Sequence, residues 1–423
     1  MAEPRSADIL SSQAASVVGA DHVRVAAREA ALEQGPVVIV EPPDPERAAA
    51  VLAWASNDRV ALAIRGGGTK STWGSPLERV DVVLSTLLLN TVLEHRHGDL
   101  TATVQSGAVL ARVNHELGAH RQWIPLDPPW AQTATIGGII ATNDSGPRRH
   151  RHGAPRDLII GITLARADGR LAKAGGIVVK NVAGYDLARL VTNSYGTLAL
   201  IVDATFKLAP VAPSSRTVIL NAESVAALGR VLADLTAGQT VPCAVELAVP
   251  PGRLLIRFQG AEQGVTEQAS QLATQASRHA VRCEIVSGEP ETTLWREHEK
   301  RPWSGPGCIF KLSVLPSRIV PIAEWLHETQ SATGWELVGR AGAGVLLLRL
   351  EGPDARVERC LDELRSQFKR GEAFISPLRG SPELRTRLTT RETREDILPL
   401  MQTIKRQFDA AGVLNPGRGP GGL

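Results

Sequence analysis

Three consecutive glycines, Gly66-Gly67-Gly68, stand between Arg65 and Thr69-Lys70. Removing three side chains in a row lets a backbone approach a ligand closely and reach positive φ. Successive unobstructed amides make a nest for an anion, and Arg65 and Thr69 add donors. The spacing is not GxGxxG, which argues against a Rossmann fingerprint. It is not Walker A either, because threonine rather than glycine precedes Lys70. A tight turn with no ligand remains the plain alternative for this motif taken alone. A second segment offers similar chemistry. Thr135, Ile136, Gly137 and Gly138 are followed by Ala141, Thr142, Asn143, Ser145 and Gly146. Its hydroxyls and amide can face phosphate or ribityl oxygens while the isoleucines anchor the backbone. A third polar group, Lys180, Asn181 and Tyr185, interrupts an apolar stretch between Gly175 and Ile201. The Arg148–Gly153 run of arginine and histidine suits a carboxylate or an acidic surface. Its plainer account is a solvated basic loop.

The elements that position these residues read as two domains, the default for 423 residues. Val37–Val40 is a short strand, and Asp44 caps a helix with Pro45 at its first position. Ala48, Val51, Leu52 and Ala55 give that helix one apolar face. Val60–Ile64 then runs as a strand into the glycines. Further strands are expected at Val80–Leu84, Thr101–Val104, Leu158–Arg166 and Leu198–Thr205, with helices at Leu110–Leu117 and Tyr185–Thr192. A turn-rich joint at Pro210–Ser215 marks the domain boundary. Beyond it the order strand, helix, strand, strand, helix, strand over Thr217–Val286 is that of a ferredoxin-like split βαβ unit. A looser second pass begins at Cys308. A closing helix over Arg394–Ala411 is expected to end at Gly412.

Composition limits the function. Hydrophobic residues make up 43% of the chain and the net charge is +3, with both signs dispersed. That excludes the clustered basic excess of a nucleic-acid binder. No apolar run reaches the length of a membrane span, and no secretory signal is readable. Cys243, Cys283, Cys308 and Cys360 are far apart, which speaks against an iron–sulfur cluster in this chain and fits buried thiols in a reducing cytoplasm. The histidines form no HxxxH-type pair, so no metal is expected.

The ordered series RGGGTK, PLDPP, ATIGGIIATNDSGPRR, RDLIIGITLARADGR, VVKNVAGYDLARL and GTLALI, with VLNPG near residue 415, resembles the vanillyl-alcohol-oxidase (PCMH-type) FAD-binding family. Within it, the series is similar to the FAD-binding E subunits of bacterial glycolate oxidases. The resemblance implies an α+β protein. A PCMH-type FAD-binding domain of two α/β subdomains would span 1–212. A ferredoxin-like antiparallel-sheet domain would follow over 213–393, and 394–423 would return to the first. It places the FAD pyrophosphate on Arg65–Thr69 and on a strand-turn at Thr135–Gly146, and adds Pro125, Gly196, Ile201 and Asn415 to the cofactor site. Thr69 stands where covalent relatives often carry histidine, so non-covalent FAD is expected. The segment Gly339–Gly344 lacks the histidine and acids of the metal-binding motif found in related dehydrogenases. Arg151, Lys180 and Tyr185 are the candidates for catalysis on a small 2-hydroxy acid.

The partners implied are a second FAD-binding subunit and an iron–sulfur subunit of a glycolate oxidase complex, cytoplasmic or peripheral at the inner membrane. Two other readings stay open: a stand-alone flavin oxidase or dehydrogenase, and a structural subunit with a vestigial flavin site.

Overall fold

The computed structural model describes residues 6–26, 37–177, 185–329, 331, 334–369 and 371–423. The chain forms two compact units. The first comprises Met1–Asp144, Ala154–Val211 and Thr389–Leu423; the second comprises Ser145–Gly153 and Ala212–Leu388.

The first unit opens with a helix at Ala7–Val18, capped by Ser6, and strand β1 (Val23–Ala26), both unanticipated from sequence. β1 pairs antiparallel with β2 (Val37–Val40), while β3 (Leu62–Arg65) and β4 (Val82–Ser85) extend the sheet in parallel. Parallel strands need a crossover, and the helix Pro45–Asp58 supplies it. Its N-cap Asp44 accepts from the Arg47 amide at 2.7 Å, and Ala48, Val51, Leu52 and Ala55 are all buried. A second, antiparallel sheet contains β5 (Val92–Arg96) and β6 (Thr101–Gln105). After the short β7 (Gln122–Trp123) it continues with β8 (Ile159–Ala165), β9 (Leu171–Gly175) and β10 (Leu200–Lys207). β11 (Ala209–Pro210) closes back on β7. The helix Leu110–Leu117 packs Leu110, Val113 and Leu117 into the core of this sheet.

The second unit is built on one eight-stranded sheet, every neighbouring pair of which is antiparallel. Its strands are β12 (Ser214–Asn221), β13 (Ala244–Val249), β14 (Arg253–Gly260), β15 (Arg282–Val286), β16 (Cys308–Val314), β17 (Trp335–Arg340), β18 (Val345–Leu350) and β19 (Ala373–Arg379). The order β15-β12-β14-β13 followed by β17-β18-β16-β19 is two split βαβ units joined edge to edge at their second strands. The suspected second pass therefore exists.

Strand alternation gives the sheet two unlike faces. Val245, Leu247, Leu254, Ile256, Leu346 and Leu348 belong to the main apolar core. Their neighbours Glu246, Arg253, Arg257 and Arg349 take the other face, which the helix Gly288–Lys300 partly covers.

Three expectations need correction. Thr135–Gly146 is not a strand-turn: Ile136–Thr142 is helical, because Ile136, Ile139 and Ile140 lie on one side and are fully buried. The closing helix spans Leu398–Phe408, shorter than expected, because the Asp409 side chain caps the turn that follows it. Gly412, at φ +65°, lies in that turn. Cys283 is exposed, since it sits on the edge strand β15, whereas the other three thiols are buried. Lys180 and Asn181, in the apolar stretch that follows Gly176, fall outside the described residues.

Candidate flavin-binding site

β3 delivers Arg65 at its C-terminal end, and the glycines follow directly. One cavity of the first unit is lined by Arg65, Gly66, Gly67, Gly68, Thr69, Lys70, Thr135, Gly138, Ala141 and Thr142, together with Ile64, Ser71, Tyr195, Asn415 and Arg418. The two glycine-rich segments, about 70 residues apart in sequence, thus share one wall-to-wall site. Their packing explains the glycines. A Cβ on Gly66 would lie 2.0 Å from Thr135 Oγ1, and one on Gly67 only 1.9 Å from the Thr133 carbonyl oxygen. Positive φ in the loop belongs to Gly68, at +71°, and not to Gly67. Gly137 is needed for a different contact, the close approach of the helix to Ser106.

The backbone donors matter most. Among the described residues, the amides of Gly66, Gly67, Gly68 and Thr69 have no protein acceptor. The first amides of the neighbouring helix are already used: Ile136 donates to the Ala108 carbonyl and Gly137 to that of Ser106. An anion in this cavity therefore meets unspent donors on the loop and, on the helix, the amide of Gly138, which likewise has no protein acceptor among the described residues. The hydroxyl of Thr142 donates to the Gly138 carbonyl at 2.8 Å, which leaves its oxygen lone pairs. Asn143 Oδ1, just beyond the helix, is buried without a protein partner, the state of a group that expects a ligand or water. These residues fit a pyrophosphate-containing cofactor.

Lys70 closes the RGGGTK motif. It is buried, pairs with buried Asp144 at 3.2 Å and lies over the Trp73 and Trp130 rings. Its charge is thus held inside the wall. Tyr195 was missed in the sequence; desolvation raises its phenol to about 12, so it is a neutral donor at ordinary pH. Asn415 ties the tail to the wall. Its Oδ1 accepts from the Ile64 amide at 2.8 Å and its Nδ2 donates to the Tyr195 carbonyl at 2.6 Å. Gly196 makes room for that amide, which would lie 2.7 Å from a Cβ. The proximity of Arg418 to the VLNPG stretch was the available sequence signal for it. Ile136 and Ile201 belong to the apolar core and, like Pro125, do not line the cavity.

Ser145 and Gly146 fall in the second unit, with Arg151. Arg151 donates to the Gln259 carbonyl at 3.2 Å. Tyr185 is 91% exposed. Arg151 thus belongs to the second unit and Tyr185 to the first.

The second unit holds polar chemistry that sequence reading did not find. At the seam between its two βαβ units, Glu246 and Arg340 are cross-strand partners, 3.9 Å apart and both buried. His298 bonds the other Glu246 oxygen at 3.0 Å, and Arg340 donates to the Ser145 carbonyl at 2.6 Å. His150 rests on Gly342, where a Cβ would lie 2.3 Å from its Nδ1. Burial lowers the His150 pKa, against a smaller opposing effect of Glu246. So the histidine and acid missing from Gly339–Gly344 reach it from other elements. No group of three or more His, Cys, Asp or Glu arranged to hold a metal occurs among the described residues.

Comparison with known proteins agrees with this geometry. Residues 36–175 match the FAD binding domain family model. The chain is 25% identical to glycolate oxidase subunit GlcD of Bacillus subtilis, over 90% of this chain and 88% of the other. It is 28% identical to glycolate oxidase subunit GlcE of Escherichia coli, over 86% and 94%. A D-2-hydroxyglutarate dehydrogenase of Xanthomonas citri pv. viticola is 26% identical over 90% and 89%. Among solved structures, a chitooligosaccharide oxidase superposes with a TM-score of 0.70 over 98% of each chain at 15% identity, a likeness of fold. Residues 36–175 thus form a PCMH-type FAD-binding domain, and the chain is an FAD-linked oxidoreductase similar to glycolate oxidase subunits and a D-2-hydroxyglutarate dehydrogenase.

Proposed function

We propose that the chain is the FAD-binding subunit of a glycolate-oxidase-type complex. It would take part in oxidising glycolate or a related 2-hydroxy acid to the 2-oxo acid, with electrons leaving through an iron–sulfur subunit. The observation that carries the reading is the loop at Gly66–Thr69, whose four amides are unspent inside a cavity closed by Thr135, Thr142 and Asn415. In this reading Arg65–Thr69 hold the pyrophosphate. Thr135, Gly138, Ala141, Thr142, Asn143 and Asn415 shape the remaining wall. When bound, FAD supplies the hydride acceptor. The domain division at 1–212, 213–393 and 394–423 serves the same reading, with a second FAD-binding subunit as a further partner and peripheral attachment to the membrane through the complex. No helix among the described residues is long and apolar enough to cross a membrane.

Attachment of FAD is non-covalent in this proposal, because the cavity lining contains neither histidine nor cysteine. Acid precipitation tests it: yellow colour should leave with the supernatant, and colour retained in the pellet defeats the assignment. Substrate chemistry is tested by stopped-flow reduction of the FAD-loaded chain with glycolate. Arg151, Lys180 and Tyr185 are the first positions to vary. Rapid bleaching of the isolated chain assigns oxidation to this subunit. Bleaching only in the assembled complex assigns it the role of an electron relay, which the lack of histidine and acids within Gly339–Gly344 favours.

A further inference from the structure

The polar face of the second unit contains a cavity of about 550 Å³ between β14, β18 and the C-terminal end of the helix Gly288–Lys300. Arg253, Lys300, Arg301 and Arg349 line it, against the acids Glu297 and Glu336. The arginines are held in place rather than splayed into solvent. Arg301 and Arg349 each engage one oxygen of buried Glu336, and Arg301 also donates to the Pro250 carbonyl at 2.6 Å. Gly305 leaves space for the Arg349 guanidinium, whose Nε is buried without a protein partner. Arg253 donates from Nε to Asn221 at 2.9 Å and has no ion-pair partner among the described residues. Lys300 has no ion-pair partner among the described residues. Arg349 pairs with Glu351 as well as with Glu336, so the cations left without an ion-pair partner among the described residues are Arg253 and Lys300, against Glu297.

A concave site with uncompensated charge of one sign concentrates counter-ions. Rigid guanidinium groups also lose little freedom when they bind oxyanions. We propose that this cavity is a binding site for a small polyanion, a polycarboxylate or a phosphate monoester, gripped by Arg253, Lys300 and Arg349. It lies wholly within the second unit and does not depend on the proposal made for the first.

Titration calorimetry of the FAD-loaded full chain at low ionic strength tests this, with citrate and inorganic phosphate as probes and acetate as the monovalent control. Citrate, phosphate or both should bind saturably, and acetate should bind at least about tenfold more weakly. Whichever polyanion binds identifies the headgroup. Arg253→Ala with Lys300→Ala should weaken binding about tenfold or more, as should raising NaCl to about 0.5 M. Flavin absorbance should not change. Lys300→Ala alone, at an exposed position, keeps the test available if the double variant fails to fold. The proposal is overturned by an absence of saturable heat with both probes, by acetate matching citrate, or by an unchanged affinity in the variants.

Discussion

The two units solve the problem of holding polar chemistry in opposite ways. The first makes its cavity from backbone: side chains are deleted at Gly66–Gly68 and the amides are left exposed to the site. The second makes its polar face from long charged side chains that satisfy one another. Glu291, for example, accepts from Ser215, Thr217 and Arg257 within 2.8 Å of each. A backbone site is sensitive to added volume, and a charge-paired face is sensitive to a lost partner. Each can therefore be broken by a substitution that the other would tolerate.

The largest effect is expected from Glu291→Ala. It removes the buried carboxylate that pairs with Arg257, whose side chain is only 15% exposed, and takes an acceptor from Ser215 and Thr217; the cost should be about 3 kcal/mol in a denaturant titration. A cost below about 1 kcal/mol would mean that the face does not rely on pairing. Gly67→Val comes next. With the Thr133 carbonyl in the way, the wall must shift, and FAD affinity should fall about 100-fold, read by flavin retained on gel filtration. Unchanged flavin content removes the loop from the site. Gly196→Ala combines φ of +71° with crowding of Asn415 and should lower stability by about 1–2 kcal/mol.

The smallest effect concerns acid. Burial, aided by Arg151 and Arg148, pulls His152 down to about 4. A depressed folded value means stability that is complete above the unfolded value near 6.5 and is lost as pH falls towards 4. After allowance for partial exposure, His152→Gln should reduce the loss between pH 7 and 5 by about 1 kcal/mol or less. An identical pH profile in the variant contradicts that account.

The same contrast explains what the sequence made legible. Glycine runs, the Asp44-Pro45 cap and the apolar spacing of Leu110, Val113 and Leu117 are local signals, and they foretold local structure. The split βαβ order was readable because each strand and helix kept its own period. The helix Gly288–Lys300 was invisible because its buried residues include Glu291 and His298, so it has no apolar stripe to detect. Its face is determined by partners on β12, β13 and β14. Ile136, Ile139 and Ile140 did carry helical spacing, but the adjoining glycines drew attention to turns instead. The Arg340–Glu246 pairing depends on the register between β13 and β17, which no linear motif records.

The tie between Asn415 and Ile64 joins residues 351 apart in the chain. Leu62 likewise donates to the Val413 carbonyl, so residues 413–415 complete one edge of β3. During synthesis that edge is made early and its partner late. At about 5–20 residues per second, the strand waits roughly 20–70 seconds with its hydrogen-bonding groups unpaired. Open strand edges invite pairing with other chains. Growth temperature and chaperone supply should therefore govern the yield of soluble protein through this interval, whatever the stability of the finished fold.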